Sequence, residues 1–367
     1  MKVLFVFGTR PEGIKMAPII KEIEKREDLE SYTCVTGQHR EMLDQVLEIF
    51  DIEPDYDLNI FKKGQSLTDV TTRTLLGLED ILDELKPDIL LVQGDTTTVF
   101  AAALAAFYKK IKIGHVEAGL RSGNLYSPYP EEANRKLTGV LSNYHFAPTE
   151  SNRQNLLREG YNDKNIFITG NTVIDALKYS VKEDFLFDDE ILNNLDYNKD
   201  VVLLTAHRRE NWGEPMENIF SAIRQVVLER ENIEIVFPIH LNPIVRNTAK
   251  KYFSDLDRVH LIEPLSYLPF SNLMARVKFV VTDSGGVQEE APALGKPVLV
   301  LRNETERMEG VEAKTAKLVG TNSQDVYDSI ISLLDDKNLY EEMAKAVNPY
   351  GDGHAAKKIV DILEKMN

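Results

Sequence analysis

Short apolar runs alternate with longer amphipathic stretches along the whole chain, the rhythm of strands and helices in parallel α/β sheets. The runs predict strands at Lys2–Phe7, Tyr32–Thr36, Asp88–Gln93, Lys112–Val116, Tyr144–Ala147 and Ile166–Thr169. A second series follows at Val201–Thr205, Glu234–Phe237, Val259–Ile262, Phe279–Thr282, Pro297–Leu301 and Ala316–Val319. Between the two lies FLFDDEILNNLDYNKD, polar and rich in Asp and Asn, which reads as a surface excursion early in the second unit. Two series of similar strand number predict an α/β protein of two doubly wound, Rossmann-like domains with an inter-domain cleft. Ligands in such sheets bind outside the carboxyl ends of the strands.

Composition narrows the functional classes. The chain has 367 residues, too many for one core of at most roughly 250–300 residues, so two domains are expected. No stretch approaches the roughly 18–20 apolar residues needed to span a bilayer. The start MKVLFVFGTRPE turns polar too soon for a signal peptide, so no membrane association and a cytoplasmic location are expected. Cys34 is the one cysteine, which excludes an internal disulfide framework and a cysteine-rich zinc site. With 59 acidic against 43 basic residues the formal charge is −16, which argues against sequence-independent binding to nucleic acid. A small anionic ligand would need a local cationic pocket working against that field.

The predicted strand ends carry such groups. After the first strand comes Gly8-Thr9-Arg10-Pro11-Glu12-Gly13 with Lys15, either a tight turn with two solvated cations or a phosphate grip, before a helix expected to begin near Pro18. Its spacing fits neither a Walker loop nor GxGxxG. Asp95 follows DILLVQG and either caps a helix or faces a ligand. Glu117 follows the next apolar run, and Glu131 lies in YPEEANR. Each can be a solvated loop acid. Together they match the paired carboxylates that proton transfer requires, provided their surroundings separate their roles.

In the second half, VVLLTAHRRENWG places His207, Arg208 and Arg209 at a strand end, with Glu210 available to neutralise the arginines, and EIVFPIHLNP places His240 at the next. The most informative segment is KFVVTDSGGVQEEAPALGKPVLVLRNETERMEG. Ser284 is suited to cap the helix that follows, Gly285 and Gly286 leave room for a phosphate on its N-terminus, and Glu290 lies one turn along the same face, where it can accept from ribose hydroxyls. Arg307 adds a cation. The alternative is an ordinary capped helix with exposed acids.

Taken together, GTRPEGIKMAP, QGDTTT, GHVEAGLRS, YPEEANR, TAHRREN and SGGVQEEAPALGKPVLVLRNETERMEG resemble the non-hydrolysing UDP-N-acetylglucosamine 2-epimerases, in order and spacing, from about residue 1 to 365. The resemblance implies the B-type glycosyltransferase fold, with residues 1–169 in one domain, 170–349 in a second, UDP-binding domain, and a final helix at about 350–367 crossing back to the first. It implies reversible conversion of UDP-GlcNAc to UDP-ManNAc by anti elimination of UDP to 2-acetamidoglucal and syn re-addition, with no cofactor and no metal, in a cytoplasmic homodimer. A UDP-sugar glycosyltransferase or a hydrolysing 2-epimerase of the same fold is the alternative.

Carried over by residue, the resemblance gives Asp95, Glu117 and Glu131 the acid and base functions and puts His207 near the leaving diphosphate. Arg10, Lys15, Ser284, Gly285, Gly286 and Arg307 hold phosphates or sugar, Glu290 the ribose and Phe270 the uracil, where Leu265 replaces a more polar residue. Gln38, His39, Gln65, Arg208 and His240 resemble parts of a second UDP-GlcNAc site that activates some bacterial members. Glu41 and Gly64 depart from that pattern, gaining an anion and losing a cation beside a diphosphate.

Overall fold

In a computed structural model of the chain, residues 1–38 and 40–366 are described. Strand β1 (Lys2–Phe7) is buried from Val3 to Phe7, as befits a parallel strand covered on both faces. It lies inside a sheet with β2 (Glu30–Val35), β3 (Tyr56–Asp57), β4 (Ile89–Gln93), β5 (Lys112–Val116), β6 (Tyr144–Ala147) and β7 (Ile166–Ile168). Every pair is parallel and the order is β3-β2-β1-β4-β5-β6-β7. A second parallel sheet contains β8 (Asp200–Thr205), β9 (Ile233–Pro238), β10 (Val259–Ile262), β11 (Phe279–Thr282), β12 (Val298–Val300) and β13 (Ala316–Leu318) in the order β10-β9-β8-β11-β12-β13. Strand order reverses between β1 and β4 in one sheet and between β8 and β11 in the other. Those two reversals are where a doubly wound sheet opens a ligand crevice.

The twelve strands expected from the apolar runs are all present, to within two residues at either end. β3 is the addition: Tyr56–Asp57 has no apolar run, and it is a strand because it pairs with Cys34 and Val35. The first helix differs from expectation. It spans Arg10–Ile23, with Pro11 in its opening turn and Pro18 buried inside it. Proline needs no amide partner in a first turn, and Thr9 with Glu12 closes a capping box there, so the signal lay at Pro11. The expected surface excursion is also more structured than its composition suggests. It carries a helical turn, Glu190–Asn194, and buries Phe187 and Leu192, with the Arg276 guanidinium 4.9 Å from the Phe187 ring centre.

The chain divides into two compact units, Met1–Tyr179 with Tyr350–Asn367, and Ser180–Pro349. Residues 170–179, which the sequence reading assigns to the second domain, are bonded within the first. The Asn171 N–H donates to Tyr350 O at 2.6 Å, and Asp175 caps the final helix, Ala355–Glu364, by accepting from the N–H groups of Ala355 and Ala356 at 3.1 and 3.0 Å. That helix buries Ile359, Val360 and Leu363 and packs on Arg10–Ile23, where Arg26 pairs with Asp361 at 2.9 Å. In the second unit Phe220, Phe237, Phe253 and Phe279 anchor a single apolar cluster. No helix among the described residues is long and apolar enough to cross a membrane.

Candidate active site

The turn after β1 is built by Glu12. Its Oε2 accepts from the N–H groups of Gly8 and Thr9 at 2.8 and 2.7 Å, and its Oε1 accepts from the Thr96 hydroxyl. Glu12 is buried, which pushes its pKa up, while these donors pull the other way. The glutamate of GTRPE therefore locks the β1 turn to the loop after β4. Gly8 is required by crowding: a Cβ there would lie 2.0 Å from Thr36 Oγ1. Arg10 begins the helix, half-buried, and its guanidinium makes no hydrogen bond or ion pair among the described residues.

Glu117 stands one residue past β5, beside the reversal of strand order. Its backbone is in the left-handed region, φ 61°, which costs a residue with a Cβ on the order of 1 kcal/mol or more. Lys15 Nζ donates to both carboxylate oxygens, at 2.7 and 2.6 Å, the Gln93 amide donates to Oε2, and Asn171 Nδ2 donates to Oε1 at 3.4 Å. The carboxylate is thus charge-paired and held from three elements. Lys15, read from the sequence as a phosphate cation, is engaged with this acid.

Asp95 follows β4, whose Gln93 is in register with Val116 of β5, so Asp95 and Glu117 leave neighbouring strand ends. Arg135 grips Asp95, with Nε at 2.9 Å and Nη2 at 2.6 Å. Thr96, not Asp95, caps the helix Thr97–Tyr108. Glu131 opens the helix Glu131–Leu141, and its Oε2 is buried with no hydrogen-bond partner among the described residues. Its neighbour Glu132 is different in kind. Fully buried, it accepts from the N–H groups of Ser122 and Gly123 and from Arg135, which makes it a clamp on the loop. Beneath these acids His115 contacts Gly94 O through Nε2 at 2.7 Å, and burial pushes its pKa down to about 4.

In the second unit one acid organises the site. Asp283, fully buried at the end of β11, accepts through Oδ2 from the N–H groups of His207 and Arg208 at 2.8 and 2.9 Å and from Asn211 at 3.1 Å. Its Oδ1 lies 3.3 Å from His207 Nδ1. The His207 ring stacks on His240, centroids 5.5 Å apart. Burial lowers the His207 pKa, Asp283 opposes this, and His240 and Arg208 add to it. Glu210 does not neutralise the adjacent arginines, since it accepts from Arg302 at 2.8 Å.

Ser284 occupies the N-cap position of the helix Gly285–Ala293 but makes no capping bond through its side chain, contrary to the role its type suggested. Thr282 Oγ1 takes the Ser284 N–H instead, at 2.9 Å. The Arg307 guanidinium lies against Gly285 so closely that a Cβ there would be 2.6 Å from Nη1. Glu289 and Glu306 hold Arg307 at 2.7 and 2.8 Å. The position of a Cβ on Gly286 would be 3.4 Å from Glu290 Oε1, so these two share a face. The arrangement is a helix N-terminus flanked by a guanidinium and followed by a carboxylate, suited to a phosphate with a polyol attached.

Phe270 is half-buried in the helix Tyr267–Arg276, and Leu265 precedes that helix. Of the expected activator residues, Arg208 and His240 belong to the His207–Asp283 cluster, while Gln38 and Gln65 belong to the first unit. Gln38 accepts from Thr98 at 2.8 Å and Gln65 from the Lys62 N–H at 3.1 Å. His39 lies outside the described residues. Sequence reading did not select Gln93, Asn171, Asp283 or Arg135, the groups that orient the selected ones. Gln93 and Asp283 sit at strand ends, with a glycine one and two residues further on, which was the available signal. No cluster of three or more His, Cys, Asp or Glu among the described residues is arranged to hold a metal ion.

Two doubly wound parallel units of this kind define the B-type glycosyltransferase class of α/β fold, and relatives narrow the class. The family model described as UDP-N-acetylglucosamine 2-epimerase matches residues 21–364. The UDP-N-acetylglucosamine 2-epimerase of Bacillus subtilis (strain 168) is 55% identical, over 99% of this chain and 95% of its own. A structure of the UDP-GlcNAc 2-epimerase from Neisseria meningitidis bound to UDP-GlcNAc is 53% identical with a TM-score of 0.89, covering 100% of both chains. The Methanocaldococcus jannaschii enzyme in complex with UDP-GlcNAc and UDP is 36% identical with a TM-score of 0.77, again over 100% of both. The chain belongs to the UDP-N-acetylglucosamine 2-epimerase family.

Proposed function

We propose that this enzyme interconverts UDP-GlcNAc and UDP-ManNAc by inversion at C2, without net hydrolysis. The C2 hydrogen is not next to a carbonyl, so direct carbanion chemistry is closed to it. Elimination avoids the difficulty. A carboxylate takes the C2 proton as the C1–oxygen bond to UDP breaks anti to it, the electron pair of the C–H bond becomes the C1–C2 double bond of 2-acetamidoglucal, and UDP leaves with the bonding pair. Syn re-addition of UDP at C1, with a proton delivered to the other face of C2, gives the epimer.

The observation that carries this reading is the Glu117 carboxylate, set on a strained backbone at a strand end and gripped by Lys15 and Gln93, with Asp95 and its Arg135 on the neighbouring strand end. Two acids with different cationic partners meet the need for one group to accept a proton and another to return it. Glu131, with one buried oxygen unpartnered among the described residues, is the third candidate. In this reading the second unit holds the uridine diphosphate: phosphate on the Ser284–Gly285–Gly286 helix end with Arg307, ribose on Glu290, uracil against Phe270, and His207 beside the leaving group. Arg10 assists at the diphosphate. The ligands in the complexes of the Neisseria and Methanocaldococcus relatives support a UDP-sugar here. We take the working form to be a cytoplasmic homodimer needing no cofactor, as the family resemblance implies.

The test is incubation with UDP-GlcNAc in heavy water. UDP-ManNAc and recovered UDP-GlcNAc, both with deuterium at C2, are the expected products. Product without deuterium removes the proton-transfer reading, and free ManNAc with UDP as the main product assigns the chain to hydrolysing chemistry instead.

A further inference from the structure

Asn171 is buried, and three of its hydrogen bonds link it to other parts of the first unit or to its own turn. Its Nδ2 donates to Glu117 Oε1 at 3.4 Å, its Oδ1 accepts from the Val173 N–H at 3.1 Å, and its own N–H donates to Tyr350 O at 2.6 Å. Tyr350 is the first residue of the segment by which the chain returns to the first unit. Gly170, at φ 90°, lies so near that segment that a Cβ on it would be 3.2 Å from Gly351 Cα. The backbone of Asn171 is therefore fixed by the returning chain while its side chain reaches the acid. The bond from Val173 asks only for a short acceptor, which Asp or Ser also supplies. The amide donor aimed at Glu117 is what those residues lack.

We propose that Asn171 is a positioning residue for Glu117, its amide N–H fixing the direction of Oε1 and tying it to the returning segment at Tyr350. The proposal rests on the reading of Glu117 as a proton-transfer group. Other groups around Glu117 are Lys15 from the first helix, Gln93 from β4 and His115 from its own strand, with Asp95 and Arg135 at the neighbouring strand end. Lys15 supplies charge along both oxygens; Asn171 supplies an orientation to one of them.

Two substitutions test this, each measured beside Glu117→Gln. Asn171→Asp keeps the shape and the bond from Val173 but turns the donor into an anion facing Glu117. A like charge disfavours the ionised carboxylate, so the pH limb of kcat/KM governed by Glu117 moves up, by about one unit. Asn171→Ser keeps a short acceptor and cannot reach Glu117; kcat falls about tenfold or more while KM stays within about twofold. An unmoved pH limb in a folded Asn171→Asp, or a loss in Asn171→Ser that only tracks a lower melting temperature, overturns the proposal. Wild-type turnover in Glu117→Gln would instead remove the reading of Glu117, whereas an inactive Glu117→Gln with an unmoved limb in Asn171→Asp removes only the role of Asn171.

Discussion

Asp283 accepts from the backbone N–H of His207 at 2.8 Å, and its Oδ1 lies 3.3 Å from the ring Nδ1. A buried acid thus fixes the place of this histidine and opposes the lowering of its pKa by burial.

Replacing Asp283 by alanine strands the N–H groups of His207 and Arg208 and the amide of Asn211. A loss of about 2–4 kcal/mol in stability is expected, read from urea unfolding. Asp283→Asn retains an acceptor but removes the anion that opposes burial, so the His207 pKa, already below its ordinary value, falls further. Proton NMR titration of the His207 ring would show it, and an upward shift would contradict the assigned geometry.

For the carboxylates the expected signature is a split between chemistry and binding. Glu117→Gln and Asp95→Asn should each lower kcat by about 10²–10⁴, on the order of 3–5 kcal/mol in the barrier, while UDP binding by calorimetry is retained. Parallel loss of UDP affinity and rate would mark them as structural.

Gly285→Ala introduces a Cβ 2.6 Å from the Arg307 guanidinium. The guanidinium is itself held by Glu289 and Glu306, so it yields at the expense of those bonds. UDP affinity is expected to fall about tenfold or more, about 1.4 kcal/mol. Unchanged affinity would mean that the helix end and Arg307 do not meet phosphate.

Acid sensitivity of the first unit should trace to its buried histidines. Burial pushes His115 down to about 4 and His145 to about 3, and Nδ1 of His145 has no hydrogen-bond partner among the described residues. From about pH 6.5 down to those values the unfolded chain binds the protons that the folded chain refuses. Stability from these groups is therefore complete above about pH 6.5 and is lost as pH falls, by about 1.4 kcal/mol per unit for each histidine. His145→Phe, which can keep the ring contact with Tyr161, should flatten that slope; denaturant midpoints between pH 4 and 7 decide it.

The strands were legible because both faces of each sheet are covered, which leaves uninterrupted apolar runs such as ILLV and VVLL. β3 was not, since its two residues are recruited by pairing alone. Residue type named Asp95, Glu117 and His207 correctly as strand-end groups, but partners across sequence separations such as Lys15 to Glu117, or His207 to Asp283, exist only once strand order is known. Ser284 shows the converse. A serine before two glycines reads as a cap, yet neighbouring Thr282 takes the local bond and leaves the hydroxyl uncommitted among the described residues.

The left-handed backbone at Glu117 sets local strain against the ion pair that its carboxylate makes with Lys15. Glycine would relieve the strain there, and asparagine tolerates that conformation better than glutamate does. Neither residue offers the carboxylate that Lys15 and Gln93 grip, so relief of the backbone at 117 comes at the expense of that ion pair and, on the proposed reading of Glu117, of turnover as well.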